Sequence, residues 1–457
     1  MKKVVALLLG VLLIGPLEVL DGADAALSSK PNIVFFLVDD LGYADCGFND
    51  GQQIKTPNID KLAASGAVLE SHYVQPVCSP TRAALMTGRY ATQTGVYTIV
   101  RPHAKWGLPL AERTLANALH DAGYETAITG KWHLGEFDRA YLPTSRGFDH
   151  QYGHYFGAID YFTHIRDGSH DWYRDDRELN EDGYSTHLVA SEACRLIANK
   201  NRSKPLFLYV PFNGVHAPMQ VPDSYLQPYA ALNGPRQKLA GMLAAVDEAI
   251  GQIVQSLEKG GLRESTLIVF SSDNGGPKPG TNTPLRDFKG SIYEGGIRSC
   301  AFANWPGKIP AGQRIKEPMH VIDWYPTLVK LAGGSLEQER PIDGRDVWPM
   351  LTQQAHSPHD AILCVKSPTE AALRVGDWKL VSHASTNTSN GTPKTRAKKQ
   401  SKPASESVEL YNIATDIGET TNVAGNEPER VAVMKARLAL LLRDAVPSGV
   451  RGDGANE

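Results

Sequence analysis

Beyond about residue 30 the chain has no apolar run long enough to cross a bilayer, no C-x-x-C pair and no excess of either charge. Each lack excludes something. Lys and Arg number 47 against 50 Asp and Glu, a formal net charge of −3, which argues against nucleic acid or an anionic membrane surface as the partner. The five cysteines (Cys46, Cys78, Cys194, Cys300 and Cys364) are odd in number and widely spaced, so neither a zinc site nor a dense disulfide framework is indicated. One or two disulfides stay open, with pairing that spacing does not assign. The absence of later apolar runs means no stable membrane insertion. What apolar run there is comes first: Met1-Lys2-Lys3, then Val4 to Ile14, then the small residues Ala23-Asp24-Ala25. That order reads as a secretory signal peptide over residues 1–25, too short to span, and points to a secreted, periplasmic or lysosome-like compartment. A lipid-anchored or retained N-terminus is the lesser alternative.

At 457 residues the chain suits one large or two unequal domains. Four apolar, β-rich runs predict buried strands: 32–38, 125–129, 205–211 and 265–271. Helical segments alternate with them at 56–66, 114–122, 186–199 and 236–259. Alternation of this kind implies an α/β fold, a largely parallel sheet sandwiched by helices. Each strand runs into a polar cluster: Asp39-Asp40, Lys131-Trp132-His133, Asn213 to Pro218, and Asp273-Asn274-Gly275-Gly276. Such sheets bind ligands outside the carboxyl ends of their strands, so the clusters are expected at one edge. Residues 146–184, rich in Gly, Asp and aromatics, read as surface loops. Past about Asp360 the pattern changes. A half-exposed strand at 374–381, a short strand at 409–412 and an amphipathic helix at 427–444 predict a small antiparallel sheet with a terminal helix. Residues 386–406 are Ser, Thr, Lys and Pro with hardly an apolar side chain and read as a disordered loop. The expected organisation is a catalytic domain at 26–360, a small α+β subdomain at 361–446 and a tail at 447–457.

Cys78-Ser79-Pro80-Thr81-Arg82 reads as a turn feeding a short helix. Pro80 suits the first turn, and Gly88 is a natural stop. Cys78 therefore sits at a helix N-terminus, where the dipole is expected to lower a thiol pKa. Asp39, Asp40, Asp273 and Asn274 form an oxygen-only set suited to a hard cation, Ca²⁺ first and Mg²⁺ second. Gathering such carboxylates without a cation would cost several kcal/mol, on the order of a buried unpaired charge. Lys131 and His133, two apart in an extended stretch, share a face. Arg82 lies one helical turn after Cys78, on the same side. His216 precedes Ala217-Pro218, which stiffens its loop. Taken singly, each residue has a plainer reading as a buried thiol, a cap, a turn, a hydrogen-bonded histidine or a solvated lysine such as Lys289. Their arrival at one sheet edge favours a shared site.

The run from Cys78 to Arg82, continued by Leu85-Met86-Thr87-Gly88-Arg89, resembles the signature of the type I sulfatases. In that family the cysteine is oxidised to formylglycine by a formylglycine-generating enzyme that reads the linear motif. Thr81 stands where many members have Ser. Gln75-Pro76-Val77, Gly130 to Gly135, Pro205 to Tyr209 and Glu294 to Arg298 are also similar, and Ala158 to His164 loosely so. The likeness spans Lys30 to about Asp444 and is nearest the arylsulfatase B branch, 4-sulfatases of N-acetylgalactosamine units. It implies an alkaline-phosphatase-like fold. It also implies a metal held by Asp39, Asp40, Asp273, Asn274 and position 78, and a gem-diol nucleophile that forms a covalent sulfate intermediate. Lys131, Lys289 and Arg82 would neutralise sulfate oxygens, and His216 with Lys289 would protonate the leaving oxygen. His133 would take the proton whose removal expels sulfate. Substrate binding would fall to Lys131, His216, Lys289, Asp160 and His164. The implied substrate is a sulfated saccharide or aryl sulfate, 4-O-sulfated galactose or N-acetylgalactosamine being favoured. Trp106, Tyr155, Tyr161, Trp172 and Tyr173 offer rings on which a sugar could stack, although each taken singly has core packing as its plainer reading. Two rivals remain: a phosphomonoester or phosphonate monoester hydrolase of the same superfamily, and an inactive glycan-binding protein.

Overall fold

In the computed structural model the strand Asn32–Val38 (β1) lies at the centre of a ten-stranded sheet. The structure describes residues 30–383 and 407–449, so the leader and the 386–406 loop fall outside the described residues. The other strands of the sheet are Ala67–Leu69 (β2), Glu125–Lys131 (β3), His150–His154 (β4), Tyr173–Arg174 (β5), Arg177–Glu178 (β6), Leu206–Phe212 (β7), Thr266–Ser272 (β8), Ala301–Asn304 (β9) and Gln313–Ile315 (β10). Their order is β10-β2-β9-β8-β1-β7-β3-β4-β5-β6. The run β8-β1-β7-β3-β4 is parallel throughout, whereas β9 and β5 join it antiparallel.

Alternate residues of β1 face two separate cores. Ile33, Phe35 and Leu37 pack with the helices Cys78–Thr87 (α1), Leu115–Asp121 (α2) and Trp324–Leu331 (α3). Val34, Phe36 and Val38 pack against Pro57–Ala64, Ser185–Asn199 and Gly234–Lys259 on the other face. Both faces are covered, so the central strands are buried at every position instead of at alternate ones. In register, Val38 pairs with both Phe212 and Ser272, so β1, β7 and β8 end level with one another.

Two parts of the sequence reading change. Residues 146–184 are not all surface loop. β4 is a buried strand of the main sheet, and Tyr155, Tyr161 and Trp172 are buried. Those three rings are core packing and offer no face to a sugar. The single strand expected at 374–381 is a hairpin, Glu370–Val375 followed by Trp378–His383, turning at Gly376 with φ 55°. With Ile362–Ser367 and Ser407–Asn412 it makes a four-stranded antiparallel sheet. One face of that sheet packs on Met434 and Leu438 of the helix Pro428–Leu442. The other packs on Tyr73, Ile292 and Ile297. Beneath it Lys379 is buried between Glu294, at 2.9 Å, and Glu419, at 2.8 Å. This ties the small sheet to the segment that carries Lys289.

Candidate active site

The level strand ends bring the expected clusters together. The Asp39 amide donates to Gly214 O at 2.9 Å, and the Asp273 amide donates to Val38 O at 3.2 Å, so each polar turn is hydrogen-bonded to its neighbour. Helix α1 begins at Cys78 and closes at Gly88, whose φ of 66° is the left-handed cap a glycine permits. All ten of its residues are buried, which holds Cys78 still. The Sγ of Cys78, an Asp39 oxygen and an Asp273 oxygen lie within 4.8 Å of one another, as do ligand atoms of Asp39, Asp40 and His216. Asp40 is held at φ 62° and His133 at φ 60°, strained values for residues with a side chain, and no sequence signal marks either.

Charges alternate around this point. Lys131 Nζ pairs with Asp39, and Lys289 Nζ donates to Asp40 at 2.6 Å. Arg82 donates to Asp273 at 2.9 Å and to Lys131 O at 3.1 Å, and lies 3.6 Å from Asp39. Arg82 thus sits beneath the carboxylates, with those contacts occupying its Nη atoms. Asn274 donates through Nδ2 to Asp40 at 2.8 Å. Within this cluster, Asp39 Oδ1 and Asn274 Oδ1 are buried with no hydrogen-bond partner among the described residues. Unpaired buried acceptors are costly, and a carboxylate oxygen and an amide oxygen set beside Asp40 and Asp273 make a donor set that fits a hard cation.

Burial alone would raise the Asp39 carboxyl, but Lys131, His216 and Arg82 hold it below its ordinary value. Burial and the Asp39 charge push Asp273 up. Burial would depress the Lys289 ammonium, yet Asp40 and the acids behind it keep it above the usual range. Cys78 corrects the sequence expectation. Burial raises its thiol, and Lys131 and Lys289 do not reverse this. The helix dipole contributes about 1 kcal/mol or less, and desolvation of a thiolate exceeds it.

Cys78, His133, His216 and Lys289 line one cavity of about 390 Å³. His133 donates from Nε2 to Val100 O at 2.9 Å, which fixes the tautomer and leaves Nδ1 as a buried, unpartnered base. Burial, with Lys131 and Arg82, keeps that ring well below its ordinary pKa and so neutral. Two of the expected binding residues stand apart. Asp160 accepts from the Phe162 and Thr163 amides and from Gln220, stapling its own turn. His164 is buried and stacks on Trp172 at 4.4 Å. Neither is among the residues lining the cavity, whereas Arg101, His103 and Arg166 are, and sequence reasoning did not single them out. A larger groove of about 630 Å³ lies elsewhere; its Arg236 and Arg314 are paired with Asp45 and Glu70, and it holds none of these groups.

Comparison with known proteins agrees. A family model described as "Sulfatase" matches residues 31–335. Mouse arylsulfatase J is 35% identical over 93% of this chain and 78% of its own length. Rat N-acetylgalactosamine-6-sulfatase is 33% identical over 80% of this chain and 74% of its own. The crystal structure of Ps i-CgsB with k-i-k-neocarrahexaose superposes with a TM-score of 0.82 at 32% identity, covering 91% of this chain and 94% of that one.

Proposed function

The chain belongs to the sulfatase family and is a sulfuric ester hydrolase, and on that premise we propose that it is an exported enzyme removing an O-sulfate from a sugar of a sulfated glycan. Export rests on the leader at residues 1–25. Among the described residues no helix is long and apolar enough to cross a membrane. The observation that carries the reading is the pair of buried, unpartnered oxygens on Asp39 and Asn274, set beside Cys78 and Asp273. This donor set fits one hard divalent ion, Ca²⁺ before Mg²⁺, held by Asp39, Asp40, Asp273 and Asn274. Such an ion supplies positive charge against the ester's oxygens. Conversion of Cys78 to formylglycine would supply, once hydrated, a hydroxyl nucleophile and a second hydroxyl to release the sulfate.

The chain's own residues do the rest. Lys131 and Lys289 each spend one N–H on a carboxylate, and an ammonium has three, so donors remain for sulfate oxygens. Arg82 acts on Asp39 and Asp273, offsetting part of their negative charge. His216 reaches the cavity with its Nδ1 donating to Ala217 O at 2.5 Å and its Nε2 3.6 Å from Asp40. With Lys289 it would, on the family resemblance, protonate the leaving sugar oxygen. The free Nδ1 of neutral His133 is suited to accept the proton in the second half of the reaction. The named activities of the relatives and the hexaose held by Ps i-CgsB favour a saccharide. A 4-O-sulfated galactose or N-acetylgalactosamine stands first on the resemblance to the arylsulfatase B branch alone, and the 6-O-sulfated sugar named for the rat relative is its rival.

Turnover of 4-nitrophenyl sulfate against 4-nitrophenyl phosphate tests the reaction class. The sulfate is expected to be the better substrate. Preference for the phosphate overturns this reading in favour of the phosphomonoester alternative. A panel of sugars sulfated at O4, O6 and O2 then tests the position.

A further inference from the structure

We propose that Arg101 reads a second anionic group on the substrate, so that the preferred glycan carries another sulfate or a uronate carboxylate near the sulfate to be cleaved; this rests on the sulfatase reading above. Arg101 lines the cavity that contains Cys78, His133, His216 and Lys289. Its place there is fixed. The preceding residue, Val100, donates from its amide to Ser79 Oγ at 3.0 Å and accepts from His133 Nε2 at 2.9 Å. Ser79 follows Cys78 in the chain, so residue 100 is hydrogen-bonded both to the nucleophile's neighbour and to a catalytic histidine. Pro102 on the other side restricts Arg101 to an extended backbone. The guanidinium therefore leaves from a rigid point at the cavity rim.

Its charge is also unspent. The other basic side chains around the cavity have partners: Lys289 has Asp40 at 2.6 Å, His216 has Asp40 at 3.6 Å, Arg166 has Asp167 at 3.2 Å and His103 has Ser169 Oγ at 3.2 Å. Asp167 is the one acid among the lining residues, and Arg166 takes it. Arg101 is exposed and, among the described residues, has neither an ion pair nor a side-chain hydrogen bond. A planar fork of N–H donors at the mouth of a site that already binds one oxyanion matches a second, since guanidinium pairs with sulfate-like and carboxylate groups through two parallel bonds. A neutral sugar would leave that fork in water.

The test uses the purified full chain and three disaccharides with the same cleavable sulfate: one with a neutral neighbour, one with a second sulfate, one with a uronate. The wild type is expected to favour a charged disaccharide over the neutral one by about tenfold in kcat/KM, carried mainly by KM, as one charge-assisted contact provides. Which charged arm is preferred identifies the group read. In Arg101→Ala the ratio is expected to collapse toward one, and in Arg101→Lys, which keeps the charge without the fork, to fall in between. Equal rates on all three disaccharides in the wild type, or a preference that survives in Arg101→Ala, overturns the proposal. Wild-type turnover of 4-nitrophenyl sulfate is measured alongside. Its presence with no disaccharide preference removes only the Arg101 assignment, and its absence removes the sulfatase reading as well.

Discussion

At the residue scale the site is a balance of charge. Asp39, Asp40 and Asp273 face Arg82, Lys131 and Lys289, so a divalent ion added to this set leaves the pocket positive, which suits an anionic ester. Removing divalent ions should therefore lower the melting temperature, and Ca²⁺ should restore it. The gain is about 2.7 kcal/mol when the ion stands at a hundred times its Kd. Asp39→Asn should abolish that response in differential scanning fluorimetry; an undiminished response would place the ion elsewhere. His133→Asn, which keeps shape but loses the base at Nδ1, should lower kcat by roughly 10²–10⁴-fold in steady-state assays. Much of this set was legible because strand ends in a parallel sheet must meet. The raised Cys78 pKa was not, since a local motif carries the dipole but not the burial. Arg101 was equally invisible, because nothing in Ile99-Val100-Arg101-Pro102 marks it as lying beside a histidine more than thirty residues away.

At the scale of elements, the wall of the cavity depends on the turn after β4. Buried Asp171 accepts from the amides of Tyr155 at 3.0 Å and Phe156 at 2.7 Å, and burial lifts its carboxyl to about 7. This turn presses Gly157 against His133. A Cβ at 157 would lie 2.4 Å from Nε2, so the ring must move off Val100. Gly157→Ala should cut kcat on the order of a hundredfold with little loss of stability, as small displacements of catalytic groups do. Unchanged kcat would show that the His133 position is not critical. The central strands β1 and β7 were readable from long apolar runs, and β3 and β8 from shorter β-rich ones ending in polar clusters. β4 was not, because His150-Gln151-Tyr152-Gly153-His154 is largely polar in sequence yet buried by its position between β3 and β5. For the same reason Tyr155, Tyr161 and Trp172, which looked like a sugar platform, are core.

For the whole molecule, the small C-terminal sheet is fastened to the catalytic part through buried charge. Lys379 and Arg298 outweigh burial and hold the Glu294 carboxyl down at about 2, from an ordinary 4.5. A depressed carboxyl stabilises the fold above its unfolded value and loses that stabilisation as pH falls through the folded one. Stability should therefore decline between about pH 4.5 and 2 in denaturant titrations. Lys379→Met, which strands Glu294 and Glu419, should cost about 3–5 kcal/mol and flatten that acid-side dependence. A neutral substitution would mean the two parts are held by apolar packing alone. The sequence showed a change of character near Asp360 but not this joint, because Glu294, Lys379 and Glu419 are far apart along the chain.

The proposed reaction turns on the chemical state of position 78, where Cys78 shares one cavity with His133, His216 and Lys289. The direct measurement is the mass of the tryptic peptide spanning Cys78, from protein made in a host that has the formylglycine-generating enzyme. An aldehyde or its hydrate in place of the thiol is the expected result. A protein that turns over sulfate esters with an intact cysteine at position 78 would contradict it.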